Sequence, residues 1–384
     1  MSIEGEIRVA LRWNGSEVVA ADVRSTRPFA APRVLAGRRV DEACALVPLF
    51  FSVCGRSQAI AAAAACEAAL GIAPPPGVAA ARALIVAGEA MQEYLFRMLI
   101  GWPESRGEPA AAPLVGEVRR RIAAALAPVA AVARPAAEAP AAGLVTQAGE
   151  SLRDATAEAT GAVLGTGAAE WLDVAERGEL DAWAARGDTA AARLAADLLE
   201  ADPGFGATDV ALLPAGATAG LAEGLAEALA GDPTFECAPT WLGGPAETGA
   251  LARTAGSPGV SAFVARFGRS VLARVVARVA ELARLASGTF NAPVGQLALG
   301  RGGGIAWVET ARGLLIHRAQ VKDNRVDAYR IVAPTEWNFH PRGALPRGLA
   351  GVRFAGRDAA ARGARMLVDS LDPCVAARIE VLHA

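Results

Sequence analysis

Apolar residues alternate with polar ones at the start of the chain. Ile7, Val9 and Leu11 fall on one face, Asn14-Gly15 supplies a turn, and Val18, Val19 and Val23 continue on a return strand, so the opening reads as a β-hairpin. The pattern then changes to helical. Asp41 is placed to cap an apolar helix running to about Val53, and a second, Ala-rich helix follows Gly55, which puts Cys54 at a helix-to-helix corner. Pro74-Pro75-Pro76 breaks the chain, because consecutive prolines cannot lie inside a helix, and a third helix is expected from about Val78 to Ile100.

From about Pro128 to Gly256 the chain is rich in Ala, Gly, Leu and Pro. Short helical patches are expected around Trp171, Trp183 and Leu221, and no cluster of metal-ligand residue types occurs there. A long helix is expected from Ser261 to Ser287, with Phe263, Phe267, Val271, Val275 and Leu282 near helical spacing. After Gly302-Gly303-Gly304 come the β-rich runs Ile305 to Val308 and Leu314 to Val321, a turn at Asp323-Asn324, and Val326 to Val332: a small antiparallel sheet. No Lys or helix start follows the glycines, so they read as a strand-entry turn rather than a phosphate loop. Arg357 to Leu371 reads as a helix stopped by Asp372-Pro373, delivering Cys374 just past its end. The fold class is therefore α+β and predominantly helical.

With 384 residues the chain is long enough for one large domain or two intimate ones. We read 1–384 as a single domain with an N-terminal half over 1–127, a divergent Ala/Gly-rich region over 128–256, and 257–384 holding the long helix, the sheet and the last cysteine. Lys plus Arg number 38 and Asp plus Glu 40, so there is no net field to draw the chain to nucleic acid or anionic lipid. Met1 to Ala30 carries Glu4, Glu6, Arg8 and Arg12 and lacks the apolar run of a secretory signal. Ala59 to Leu70 is too short to span a bilayer, so no membrane association and a cytoplasmic location are expected. Five cysteines without any Cys-x-x-Cys pair argue against a disulfide framework or a zinc knuckle. Cys44, Cys66 and Cys237 read as apolar filler, and His317 and His340 as ordinary hydrogen-bonded residues.

Three segments carry a resemblance: Ser52-Val53-Cys54-Gly55-Arg56-Ser57; Gly304 to Gly313 with Tyr329 and Pro334-Thr335-Glu336-Trp337-Asn338-Phe339-His340-Pro341-Arg342; and Asp372-Pro373-Cys374-Val375-Ala376-Ala377. In order and spacing they resemble the large subunits of nickel-iron hydrogenases, at the beginning and end of the chain only. The resemblance implies a hydrogenase-large-subunit-like helical core. It also implies that Cys54 and Cys374 stand at the first, terminal position of each family Cys-x-x-Cys motif, while the bridging positions are Ser57 and Ala377. Two thiolates and a hydroxyl cannot reproduce a four-sulfur nickel site, so no nickel is expected.

Other departures point the same way. The family's proton-moving Glu aligns with Pro32, the acidic residue before the tryptophan of the third helix with Gly101, and the closing histidine with Glu380, although His383 follows. Retained are Arg312, which the resemblance places over the metals, Thr335, whose hydroxyl would face a cyanide, and Asp372, which would pair with the arginine. Arg312 could instead be a structural partner of Glu309 or Asp372. The pattern resembles the HupK/HoxV-type accessory proteins. It implies a non-catalytic scaffold for an Fe(CN)2CO unit held by Cys54 and Cys374, with a hydrogenase large-subunit precursor and upstream HypC/HypD-type maturation proteins as partners. Ala384 follows His383 directly, so the extension cleaved from hydrogenase precursors is expected to be absent. A metal-free interaction or chaperone protein and an atypical active hydrogenase remain as alternatives.

Overall fold

The computed structural model describes all residues except 1–4, 29–30, 52, 217–218 and 291–293, with the backbone alone at 31 and 219. Glu4 and Ser52 of the sequence motifs thus lie outside the described residues.

The hairpin forms as expected. Strand β1 (Glu6–Trp13) buries Ile7, Val9 and Leu11 and pairs antiparallel with β2 (Val18–Ser25). The hydrophobic alternation did not reveal its third strand. Two short strands, β3 (Ala211–Leu212) and β4 (Ala246–Glu247), pair in the middle of the chain. The small sheet is antiparallel, in the order β5 (Val294–Gly300), β6 (Gly303–Thr310), β7 (Gly313–Lys322), β8 (Arg325–Val332). The final strand, β9 (Ala376–His383), then returns to β1 and pairs with it in parallel, from Glu6 opposite Ala376 to Trp13 opposite His383. This ladder joins the two ends of the chain. It sets Arg27, just past β2, beside Cys374, just before β9.

Helix α1 (Val40–Leu46) begins one residue before the expected cap, so Asp41 lies within its first turn. A tight turn (Val47–Phe50) ends the helical path short of Val53. Helix α2 (Gly55–Leu70) lies across β6 and β7. Its run of alanines permits close approach, and Gly304 on β6 has no room for a side chain: a Cβ there would sit 2.3 Å from both the Ala65 carbonyl and the Ala69 nitrogen. Helix α3 (Pro76–Phe96) continues into a widened turn at Arg97–Gly101, near the expected end.

The expected 261–287 helix is two: Pro258–Phe267 and Val271–Ala286. Gly268 at φ +68° turns the chain between them, and the Ser270 hydroxyl caps the second by accepting from the Ala273 N–H. The 128–256 region holds more helix than short patches. Leu144–Leu164 is a full 21-residue helix whose alanines and glycines blur its periodicity. The helix Arg357–Leu371 ends where expected, with Asp372 left-handed at φ 54°. One main core takes in buried residues from Ile7 to Val381, so both chain ends and the middle share it. No described helix is long and apolar enough to cross a membrane.

Candidate functional site

Cys54 is the residue before the first turn of α2, and Cys374 follows the left-handed Asp372. They come together in the walls of one small cavity with Arg27, Phe51 and Val375. Three polar groups face the two sulfurs. The Arg27 Nη1–H donates to Cys374 Sγ at 3.0 Å, and the Gln58 amide donates to Cys54 Sγ at 3.6 Å. The Thr335 hydroxyl lies 3.1 Å from Cys374 Sγ, where either group can donate. Burial, with the neighbouring Cys374 and Glu89, pushes the Cys54 thiol up to about 12, against the pull of Arg312 and Gln58.

Arg312 sits in the β6–β7 turn. Its carbonyl accepts from Asn338 Nδ2 at 3.2 Å, and the preceding carbonyl, of Ala311, accepts from the Tyr94 hydroxyl at 2.9 Å. So pinned, the guanidinium reaches Glu93 at 3.1 Å and Asp372 at 3.6 Å. Burial alone would lower its pKa, but Asp372, Glu93 and the two site sulfurs raise it. The expected Asp372 pairing is therefore present. Glu309 is not its partner, being held instead by Arg253 at 2.6 Å. Asp372 also accepts from Arg97, and the Arg312, Arg97 and Arg278 charges overcome its burial and hold its carboxyl well below the usual range.

The positions that depart from the family are engaged in other ways. Ser57 donates its hydroxyl to Glu89 Oε2 at 2.5 Å, and the Arg56 and Ser57 N–H groups each donate to the same carboxylate at 2.9 Å. Ala377 lies in the β1–β9 ladder opposite Ile7, and its carbonyl accepts from Arg365. Gly101 leaves the space that the Arg97 side chain fills: a Cβ there would meet Arg97 Cδ at 3.2 Å. Pro32 is buried in a short 3-10 turn, while Glu380 and His383 are exposed on β9.

Sequence reasoning missed Arg27, Gln58, Glu89, Glu93 and Arg97. Glu89, Glu93 and Arg97 follow one another at helical spacing in a mostly apolar stretch, and that spacing of charges was a signal of a buried polar seam. His317 is hydrogen-bonded as expected, but in a chain leading to the site. Its Nε2 lies 2.9 Å from Gln58 Oε1 and its Nδ1 2.7 Å from the Tyr329 hydroxyl. Burial pushes its pKa down to about 3, so the ring is neutral and fixes the Gln58 amide with its nitrogen toward Cys54. Cys44 and Cys66 are buried as expected, and the neighbouring Cys66, with burial, pushes the Cys44 thiol up; Cys237 is half-buried. Among the described residues no group of three or more His, Cys, Asp or Glu is arranged to hold a metal ion.

The Nickel-dependent hydrogenase family profile matches residues 246–379. The hydrogenase expression/formation protein HoxV of Cupriavidus necator is 34% identical over 380 aligned positions, covering 93% of this chain and 92% of its own. HupK, the hydrogenase expression/formation protein of Azotobacter vinelandii, is 31% identical over 390 positions and 99% of each chain. Among solved structures, the reduced, active Ni-Fe-Se hydrogenase of Desulfomicrobium baculatum matches with a TM-score of 0.59 at 15% identity, covering 95% of each chain. At that identity the likeness is one of fold, and the expected hydrogenase-large-subunit-like α+β architecture is borne out.

Proposed function

This chain belongs to the hydrogenase expression/formation family of HoxV and HupK, and from that premise we propose that it carries an Fe(CN)2CO unit during assembly of a nickel-iron hydrogenase, without itself converting hydrogen. The observation that supports this most is the split fate of the motif positions. Cys54 and Cys374 share one cavity wall, whereas Ser57 is committed to Glu89 and Ala377 to a strand ladder.

The chemistry follows from counting ligands. Among the described residues a bare metal ion would find two sulfurs and no third ligand, too few for a stable thiolate site of its own. A unit that arrives with two cyanides and a carbonyl already attached needs few more, and two thiolates provide them. Arg312 and Thr335 stand beside the sulfurs as hydrogen-bond donors of the kind a cyanide nitrogen accepts. Few bonds also suit release, since a carrier must hand its cargo on. In this reading the unit comes from upstream maturation proteins of the HypC/HypD type and goes to the large-subunit precursor. The near balance of charge, 38 basic against 40 acidic residues, fits protein partners rather than nucleic acid.

Infrared spectroscopy of the chain, purified without oxygen from cells making the full maturation machinery, tests the reading. Cyanide and carbonyl bands that vanish in Cys54→Ala and in Cys374→Ala are expected. Stoichiometric nickel would overturn it, and an absence of bands would favour a metal-free assembly chaperone.

A further inference from the structure

Two cysteine sulfurs in one cavity can hold a soft divalent ion only weakly, with water in its other positions, but thiolate is the protein ligand such ions prefer. The structure places a fixed cation against this pair. Arg27 donates to Cys374 Sγ at 3.0 Å, stacks over the Phe51 ring at 5.5 Å and is anchored 3.6 Å from Glu336. Burial alone would lower its pKa, yet the charges of Cys374, Glu336 and Cys54 more than reverse this, so its guanidinium acts on both sulfurs. Arg312 acts on the same two sulfurs from the β6–β7 turn. Neither group can shed its proton to admit a metal.

We propose that Arg27 is a specificity-determining residue, which bars free divalent cations from Cys54 and Cys374 while admitting a metal unit whose charge its own anionic ligands already cancel. A hydrated dication approaching the sulfurs meets the Arg27 guanidinium 3.0 Å from Cys374 Sγ, its charge only partly offset by Glu336 at 3.6 Å, whose carboxyl burial raises to about 7. A ferrous ion carrying two cyanides has no net charge to repel, and its cyanide nitrogens accept from the same donors. Sulfur geometry adds a second restriction. Cys374 Sγ already contacts both Arg27 and Thr335, which leaves it one direction for a metal: a terminal ligand to a single ion, not a bridge between two.

The inference rests on the iron-unit reading, but its test does not need iron. The chain is produced in cells lacking hydrogenase maturation proteins, purified without oxygen and titrated with Co2+, following thiolate-to-cobalt absorption. Wild type and Arg27→Lys, which keeps the charge, are expected to show no cysteine-dependent absorption. Arg27→Gln is expected to bind Co2+ at least roughly tenfold tighter, as removal of one nearby charge implies, and to lose that binding when combined with Cys374→Ala. Wild type that takes up cobalt through Cys54 and Cys374 as tightly as Arg27→Gln overturns the inference, as does a folded Arg27→Gln that gains nothing. If Arg27→Gln does not fold, Arg27→Met, which also removes the charge, takes its place and is judged by the same two outcomes. Infrared bands lost from the loaded protein would strike the iron reading and leave the cobalt result untouched.

Discussion

Ser57 and Glu89, both buried, are joined by a 2.5 Å hydrogen bond in which the serine hydroxyl donates to the carboxylate. The residue that the resemblance sets at a bridging position is thus occupied with a structural task. Burial raises the Glu89 pKa, and the Ser57 and Arg56 donors only partly offset it, so this carboxylate depends on every donor it has. Ser57→Cys exchanges a hydroxyl for a weak S–H donor. We expect a loss of about 1–3 kcal/mol in urea unfolding, the usual cost of leaving a buried acceptor short of a partner. No nickel uptake should accompany it, because Ala377 still lacks a sulfur. Unchanged stability, or nickel found by elemental analysis, would contradict this account.

The packing of α2 on β6 gives a second prediction. In Gly304→Ala the new methyl meets backbone atoms of Ala65 and Ala69, which cannot rotate aside as a flexible side chain could. Helix α2 must shift, and Cys54 at its start shifts with it. We expect a loss at the upper end of the overpacking range, about 3 kcal/mol. Gly116, in the helix Ala112–Leu126 with nothing within 4 Å of its Cβ direction, is the control. Gly116→Ala should be neutral or stabilising by up to about 1 kcal/mol. Equal urea midpoints for the two variants would refute the close-approach argument.

His317 and Glu336 predict opposite pH slopes. The folded-state pKa of His317, about 3, lies below its ordinary value of 6.5, so the unfolded chain binds the proton more readily and stability falls as pH drops below about 6.5. Burial raises Glu336 to about 7 despite Arg27 and Ser25, so the folded chain holds that proton more tightly and stability falls as pH rises from about 4.5 to 7. Each fully shifted group changes stability by about 1.4 kcal/mol per pH unit inside its window. Subtracting the unfolding free energies of His317→Gln from wild type should give a difference that shrinks with acidification between pH 6.5 and 4.5. The same subtraction for Glu336→Gln should give one that grows. A difference independent of pH in either case removes that group from the account.

Much of the fold was legible because its signals are local. Asn14-Gly15 marked the hairpin, Asp323-Asn324 the β7–β8 turn, and Asp372-Pro373 the end of the last helix. What escaped is long-range or low in contrast. Nothing in Ala376–His383 announces a parallel partner at Glu6–Trp13, because half-exposed residues on an added outer strand need no strong apolar face. The break at Gly268 was hidden by apolar spacing that continues in phase on both sides. At the site, Cys54 and Cys374 were picked out by resemblance. Arg27 could not be, since its role depends on a sulfur 347 residues away that only the β1–β9 ladder brings near.

Asp372 is where the site's charges meet, and its backbone supplies a clean way to remove the charge alone. It is left-handed at φ 54°, a conformation that asparagine tolerates and alanine resists, so Asp372→Asn keeps the turn and the shape. What it removes is the carboxylate shared by Arg97, Arg312 and Arg278. Arg312 would retain Glu93, whereas Arg278, fully buried, already has an Nε and an Nη1 that meet no protein acceptor among the described residues. Taking one partner from a buried ion network typically costs about 3–5 kcal/mol, and we expect Asp372→Asn to lose that much at pH 7. The sign with pH is fixed as well. The folded-state pKa of Asp372 is depressed, so its contribution is complete above the ordinary aspartate range and is lost as pH falls through and below it. The gap between wild type and Asp372→Asn in urea unfolding should therefore be widest near neutrality and close progressively below about pH 4. A gap of the same size at pH 3 and pH 7 would show that the side chain acts through shape, and the charge network would then have to be rebuilt without it.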